Sequence, residues 1–334
     1  MTTLAVEISE LTKDYRVGFW RHRRKRALDG LTLGVERGEI FGLLGPNGAG
    51  KTTTLKLLLR LVFPTSGTAR ILGRSLNDRA VHARIGYLPE NPSFYDYLTA
   101  REFLTYTAKL FGLSGAEQRR RVGALLDRAG LGDAADLALR KYSKGMIQRL
   151  GIAQAQVNDP ELIILDEPMS GLDPLGRREV RDLILDLRRA GKTVFFSTHI
   201  LSDAEALCDR VAILHRGRLH RVGRFEEILS APATATELVL ESPSPGVLDK
   251  LKPYIRSVVH TGDRVRLEIP AEHEIALVLE AALGAGARIA SVNAVKGSLE
   301  DYFMAQLENP PSPPRAGNGE GLRPPAPRAR VQTP

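Results

Sequence analysis

A chain of 334 residues, 43% of them apolar and 26% charged, can fill a main domain of ordinary size and a smaller appendix. No apolar run reaches the roughly 18 residues that a membrane-spanning helix needs, and Met1-Thr2-Thr3-Leu4 lacks a basic-then-apolar signal, so the chain is expected in the cytosol. A single cysteine, Cys208, excludes an internal disulfide framework, and the net charge of +8 is local: residues 21–26 supply +5, the tail from Asn309 supplies +3, and the rest is neutral. That distribution argues against a fold-wide nucleic-acid surface and reads as loops near anionic lipid or as solubilising charge.

In chain order, Leu4–Ser9 alternates as a half-buried strand does, and Leu31–Val35 is expected to close back on it. Tyr15, just after that first strand, either stacks on a flat ligand ring or simply packs. The apolar strand Ile40–Leu44 runs into Gly45-Pro46-Asn47-Gly48-Ala49-Gly50-Lys51-Thr52-Thr53, and Thr53–Leu59 reads as a helix. This strand, loop and helix fit the phosphate-binding pattern G-x-x-x-x-G-K-[ST]. Glycines let backbone N–H groups converge on phosphates, Lys51 reaches the outer phosphates, and the Thr52 hydroxyl can ligate Mg²⁺.

Pro64 and Gly67 break the pattern before a short strand, Thr68–Leu72, and the chain leads on to Ile85–Glu90. Residues about 91–157 show apolar positions at helical spacing and are expected to form a helical insertion within an α/β core. Glu161–Glu167 is an apolar run ended by two acids, as in a strand buried on both faces. A helix, Arg177–Ala190, and the strands Thr193–Thr198 and Arg210–Leu214 complete a domain over residues 1–230. Residues 231–308 then read strand, helix, strand, strand, helix, strand, a small α+β βαββαβ domain. Residues 309–334, rich in proline, glycine and arginine, are expected to be disordered.

Hydrolysis of a bound triphosphate needs a metal anchor and a group that positions water. Asp166 can hold Mg²⁺ and Glu167 can serve as general base. His199 follows a buried strand where the carboxyl ends of parallel strands line a crevice. Tyr142–Gln148 reads equally as a helix cap or as an anion site built on Ser143 and Gly145.

Gly45–Thr53, Tyr142–Gln148, Asp166-Glu167-Pro168, Ser170-Gly171-Leu172-Asp173 and His199, in this order over residues 4–230, resemble the ATP-binding subunit of an ABC transporter, of the subfamily that energises exporters. The resemblance implies the ABC ATPase fold, a P-loop NTPase with a helical insertion, and ATP with Mg²⁺ as ligands. It implies Tyr15 as the adenine-stacking aromatic, Gly45 to Thr53 as the phosphate loop, and Thr52, Asp166 and Glu90 around Mg²⁺. Glu167 becomes the catalytic base, His199 the switch histidine at the γ-phosphate and Lys51 a phosphate ligand. Ser143 and Gly145 of the signature would close over ATP on the opposite subunit, with Gln148 beside them and Asp173 in the loop between the sites. One phosphate loop and one signature per chain imply a homodimer. Its partner would be an integral-membrane permease at the cytoplasmic face.

Two positions depart from the family pattern. The signature reads Tyr-Ser-Lys-Gly-Met instead of Leu-Ser-Gly-Gly-Gln, with Lys144 an added cation near phosphate, and Glu90 replaces a glutamine. An ionised carboxylate cannot donate a hydrogen bond as that glutamine does. Lys296–Met304 resembles the end of an accessory domain found on exporter ATPases. A soluble ATPase of the superfamily acting on ribosomes or nucleic acid is the alternative, and it lacks support from a second phosphate loop or sustained heptads. A regulatory subunit that binds ATP without turnover is a third reading.

Overall fold

The alternating run at the start of the chain folds as a long antiparallel hairpin, β1 (Leu4–Val17) against β2 (Arg23–Glu36). The computed structural model describes residues 4–17, 23–228 and 235–295. Val6, Ile8, Leu11, Leu31, Leu33 and Val35 are buried in its core. Tyr15 lies within β1, opposite Lys25, and does not follow the strand as expected; pairing resumes beyond register shifts near Ile8 and Leu11. The basic residues Arg24 to Arg26 are likewise strand and not loop. Arg26 donates across the hairpin to Asp14 at 2.9 Å and within β2 to Asp29 at 2.8 Å, which draws part of the basic run into ion pairs. Hydrogen bonding from Arg26 holds the Asp14 carboxyl below its usual range. β4 (Ser66–Ile71) and β5 (Arg74–Ser75) complete a sheet of order β2-β1-β4-β5.

A second sheet holds β3 (Ile40–Leu44), β6 (Ile85–Leu88), β7 (Leu162–Asp166), β8 (Thr193–Thr198) and β9 (Arg210–His215) in parallel. β10 (Arg218–Arg224) adds an antiparallel edge, giving the order β10-β9-β3-β8-β7-β6. Alternate residues of its central strands feed two cores. Phe41, Leu43, Ile164 and Phe195 pack toward the first sheet and α1 (Lys51–Leu58), whereas Ile40, Ile163, Leu165, Val194 and Phe196 pack on α5 (Pro174–Arg189) through Val180, Ile184 and Leu187. Covering both faces is why these strands read as continuous apolar runs.

The helical segment contains α2 (Ala100–Leu110), α3 (Gly115–Arg128) and α4 (Lys144–Gln154), joined by a third core that includes Phe103, Leu104, Val122, Leu125 and Leu150. Thr99 and Glu102 form a reciprocal capping box at the start of α2. The short helices α6 (Leu201–Leu207) and α7 (Phe225–Ile228) follow β8 and β10.

The chain divides into two units, residues 1–232 and 233–334. The second contains β11 (Ala235–Glu241), α8 (Pro245–Leu251), β12 (Ser257–Thr261), β13 (Arg264–Pro270), α9 (Ile275–Gly284) and β14 (Arg288–Val295). Its sheet is antiparallel, order β12-β13-β11-β14. Leu238, Leu240, Val265 and Leu267 share a core with Val247, Leu251, Val278 and Ala282 of the helices. The Lys296–Met304 stretch and the proline-rich tail lie outside the described residues.

Candidate active site

The carboxyl ends of β3, β7 and β8 bring three sequence segments together. Ile40–Leu44 is wholly buried and delivers the chain to Gly45, whose N–H donates to the Thr198 carbonyl at 3.3 Å. A Cβ at Gly45 would lie 2.2 Å from the Leu214 carbonyl oxygen, so only glycine lets the loop pass so close to β9. At the helix end Gly50 adopts φ +111, and α1 begins at Lys51. Pro46, Asn47 and Gly48 are exposed at the tip of the loop, Ala49 is buried beneath it, and Thr52 and Thr53 are half-buried. Lys51 is 5% exposed and donates from Nζ to the Gly45 carbonyl at 2.7 Å and to that of Pro46 at 3.3 Å.

Glu167 follows β7 in the left-handed region, φ +48, a costly conformation for a side chain with a Cβ. Its N–H donates to Ser197 Oγ at 3.0 Å. The carboxylate lies between two bases: Oε1 is 3.1 Å from Lys51 Nζ and Oε2 is 2.9 Å from His199 Nδ1. The Lys51 contact is an ion pair without hydrogen-bond geometry, which leaves Oε1 buried and short of a hydrogen bond among the described residues. His199 is 39% exposed at its side chain while Glu167 is 7% exposed, so the imidazole bridges solvent and a buried acid.

Asp166 lies beside this trio. Ser197 Oγ donates to its Oδ1 at 2.6 Å and Thr52 Oγ1 donates to the same oxygen at 3.2 Å. Burial pushes the Asp166 carboxyl above its usual range, opposed by those two hydrogen bonds. A hydroxyl and a carboxylate within one hydrogen bond of each other are hard oxygen donors of the kind Mg²⁺ takes when few of its ligands come from protein. The pair Thr52 and Asp166 therefore fits that ion.

Other expected site residues lie elsewhere. Ser143 caps α4, accepting from the Met146 N–H at 3.2 Å; it is exposed and Gly145 is half-buried. No hydrogen bond or ion pair joins either to Lys51, Asp166, Glu167 or His199 among the described residues. Lys144 packs its ammonium against Gly171 of its own chain, where a Cβ would come within 2.3 Å of Nζ. Glu90 is exposed and makes no such bond with Thr52 or Asp166. Tyr15 is half-buried, with the Lys13 ammonium 5.0 Å from its ring centroid. Asp173 caps α5 by accepting from the Gly176 N–H at 2.9 Å.

The sequence profile of the ABC transporter family matches residues 28–170. An ABC transporter ATP-binding protein of Synechocystis sp. is 46% identical over 304 residues, which span 90% of this chain and 84% of that one. The chain belongs to this family. The bacitracin transport ATP-binding protein of Bacillus licheniformis is 35% identical to this ABC subunit over 91% of the subunit and 97% of the relative. A solved dimeric ATP-binding cassette, described in a post-hydrolysis state bound to ADP and Pi, matches with a TM-score of 0.60 and 28% identity, over 66% of the subunit and 98% of the cassette.

The residue that sequence reasoning missed in this ABC subunit is Ser197. Its hydroxyl connects Asp166 to the Glu167 backbone from the interior of β8. The available signal was a serine at the end of the strand read as buried over Thr193–Thr198, since a buried polar side chain needs a partner. That partner is 31 residues away in sequence, so the need was legible and the identity was not.

Proposed function

We propose that this ATP-binding subunit hydrolyses MgATP through Glu167, dimerises around the nucleotide and drives a separate membrane permease that exports its substrate. The observation that carries this reading is the buried Glu167 carboxylate between Lys51 and His199, beside Asp166 and Thr52. A γ-phosphate drawn into the phosphate loop would compete for Lys51, which is bound to its own loop and to Glu167. Released from Lys51, the carboxylate can accept a proton from the attacking water, with His199 holding Oε2 in place. Mg²⁺ held by Thr52 and Asp166 would neutralise charge on the β- and γ-phosphates. Exposed Ser143 and half-buried Gly145, apart from this cluster in their own chain, would complete the site on the other subunit of the dimer.

The surface assigned to the permease runs from Glu90 to Tyr97. Phe94 packs on Phe103 with ring centroids 4.6 Å apart, while Tyr95 and Tyr97 are 53% and 67% exposed and contact each other. Phe94 and Tyr95 line a cleft of about 450 Å³ together with Tyr87, Pro89 and Pro92. Likeness to the Nod factor export ATP-binding protein I of Paraburkholderia xenovorans, 36% identical over 79% of this chain and 85% of the relative, supports the exporter reading. Peripheral attachment at the cytoplasmic face follows from a permease partner.

Phosphate release by wild type and Glu167→Gln tests the chemistry. A loss of turnover on the order of a hundredfold or more is expected with ATP still bound; equal rates would remove Glu167 as the base. Tyr95→Ala tests the coupling surface. Transport is expected to fall while ATP hydrolysis by the isolated subunit is unchanged, and normal transport with normal permease binding would sink the assignment.

A further inference from the structure

Asp203 stands four residues after His199, in the first turn of α6, and is 2% exposed. No hydrogen bond reaches its carboxylate among the described residues. The nearest cation is Arg177 of α5, with Nη1 at 3.9 Å from Oδ1, the outer limit of an ion pair. One turn further along α5, Arg181 has its Nε buried without a hydrogen-bond acceptor. The charged groups facing Asp203 are these two arginines from α5 together with Glu167 and His199 from the ends of β7 and β8. Burial dominates its environment and pushes the carboxyl above its usual range.

A carboxylate withdrawn from water is costly unless it is paired and hydrogen-bonded, and so is a guanidinium nitrogen. Here both are buried and their bonds are not closed. A small approach of α5 to α6 would close them.

The elements that would move together both border the hydrolytic pair. α5 starts from the Asp173 cap, at the end of the loop that leaves Glu167. α6 starts at Leu201, directly beyond His199 and Ile200. A bond between Asp203 and the α5 arginines would thus span the two loops on either side of the Glu167–His199 contact.

We infer that Asp203 is a positioning residue whose carboxylate, bound by Arg177 and Arg181, holds His199 against Glu167 and passes movement of the Ser170–Asp173 loop to that pair. The inference rests on the reading of Glu167 and His199 as the groups that handle the attacking water. A merely structural acid in a short helix would stabilise α6 and leave the ratio of turnover to binding unaltered.

The test is steady-state ATP hydrolysis by full-length Asp203→Asn, Asp203→Glu, Arg177→Met and the Asp203→Asn/Arg177→Met double variant, with melting temperatures measured alongside. Asp203→Asn is expected to lower kcat about tenfold, the worth of one charge-assisted hydrogen bond, with KM for ATP and the melting temperature near wild type. Arg177→Met should do the same, and the double variant should be no slower than either single one. Asp203→Glu keeps the charge with a longer reach and should recover most of kcat.

A wild-type kcat in Asp203→Asn overturns the inference, as does a double variant whose losses multiply. So does a fall in kcat matched by losses of ATP binding and melting temperature. Glu167→Gln run in parallel separates the two levels. Full turnover there removes the underlying reading and this inference with it, whereas a dead Glu167→Gln beside a fully active Asp203→Asn sinks the inference alone.

Discussion

β7 and β13 bury their residues on different periods: every residue of Leu162–Asp166 is buried, whereas along Arg264–Ile269 exposed or half-buried Arg264, Arg266 and Glu268 alternate with buried Val265, Leu267 and Ile269. β7 has a core on each face, so polar groups gather where the strand ends, and Asp166 and Glu167 are what emerge there. β13 has helices on one face only. On the other, Arg266 pairs with Glu237 and Arg264 with Glu241 across to β11, which spreads charge of both signs over the sheet. A doubly covered sheet concentrates polar chemistry at its carboxyl edge, while a singly covered one dilutes it along a face. The difference explains why nucleotide chemistry is assigned to the first unit.

The largest effect that would break this contrast is at Gly45. With the Leu214 carbonyl 2.2 Å from any added Cβ, Gly45→Ala has to displace the loop or β9. Misplacing the loop by about 1 Å is expected to weaken MgATP binding on the order of a hundredfold, read by titration with a fluorescent ATP analogue. Arg266→Ala, on the open face of the second unit, should leave that affinity unchanged. Equal losses would mean that nucleotide binding is not confined to the edge of the parallel sheet.

Stability sharpens the same comparison. Phe196 is fully buried in β8, and Phe196→Ala is expected to cost about 3–5 kcal/mol in the denaturation of the first unit. Val259, 52% exposed on β12, should cost about 0.5 kcal/mol or less as Val259→Ala. Urea unfolding followed in each unit checks both values.

Helix starts supply a smaller contrast. Thr99 Oγ1 accepts from the Glu102 N–H at 3.2 Å and Glu102 Oε2 accepts from the Thr99 N–H at 2.8 Å, whereas Glu274 at the start of α9 makes no side-chain cap. Thr99→Ala should cost about 1 kcal/mol and Glu274→Ala close to nothing, by the same unfolding assay.

Much of the arrangement was legible from the chain alone because it is written in local spacing. The phosphate loop is contiguous, β7 announces both faces of its burial by four apolar residues in a row, and the strand, helix, strand, strand, helix, strand order read over residues 237–292 lies within a few residues of β11, α8, β12, β13, α9 and β14. What escaped depends on partners far apart in sequence. Strand pairing carries β1 past register shifts that erase its alternation, so Tyr15 read as following a strand that contains it. Arg26 read as unpaired basic charge because Asp14 meets it only across the hairpin. Ser197 and Asp203 looked unremarkable until β7, β8, α5 and α6 were set side by side.

The last predicted effect is confined to alkaline pH and concerns Tyr87 on β6, a half-buried phenol in the cleft lined by Tyr95. Burial first, and the Asp166 carboxylate second, push its pKa up to about 12 from the ordinary 10.0. Between those values the unfolded chain loses the phenolic proton while the folded chain retains it, so the unfolded state binds fewer protons and stability falls as pH rises. The contribution is whole below pH ~10 and gone above the folded value; solvent screening of a partly exposed group keeps it near 1 kcal/mol. Tyr87→Phe should therefore flatten the loss of stability over that window and delete the last step in the phenolate absorbance titration. If Tyr87 instead ionised at the ordinary value, the carboxyl edge of β6 would be as open to water as the outer face of β13, and the contrast between the two sheets would fail at the strand nearest the assigned permease surface.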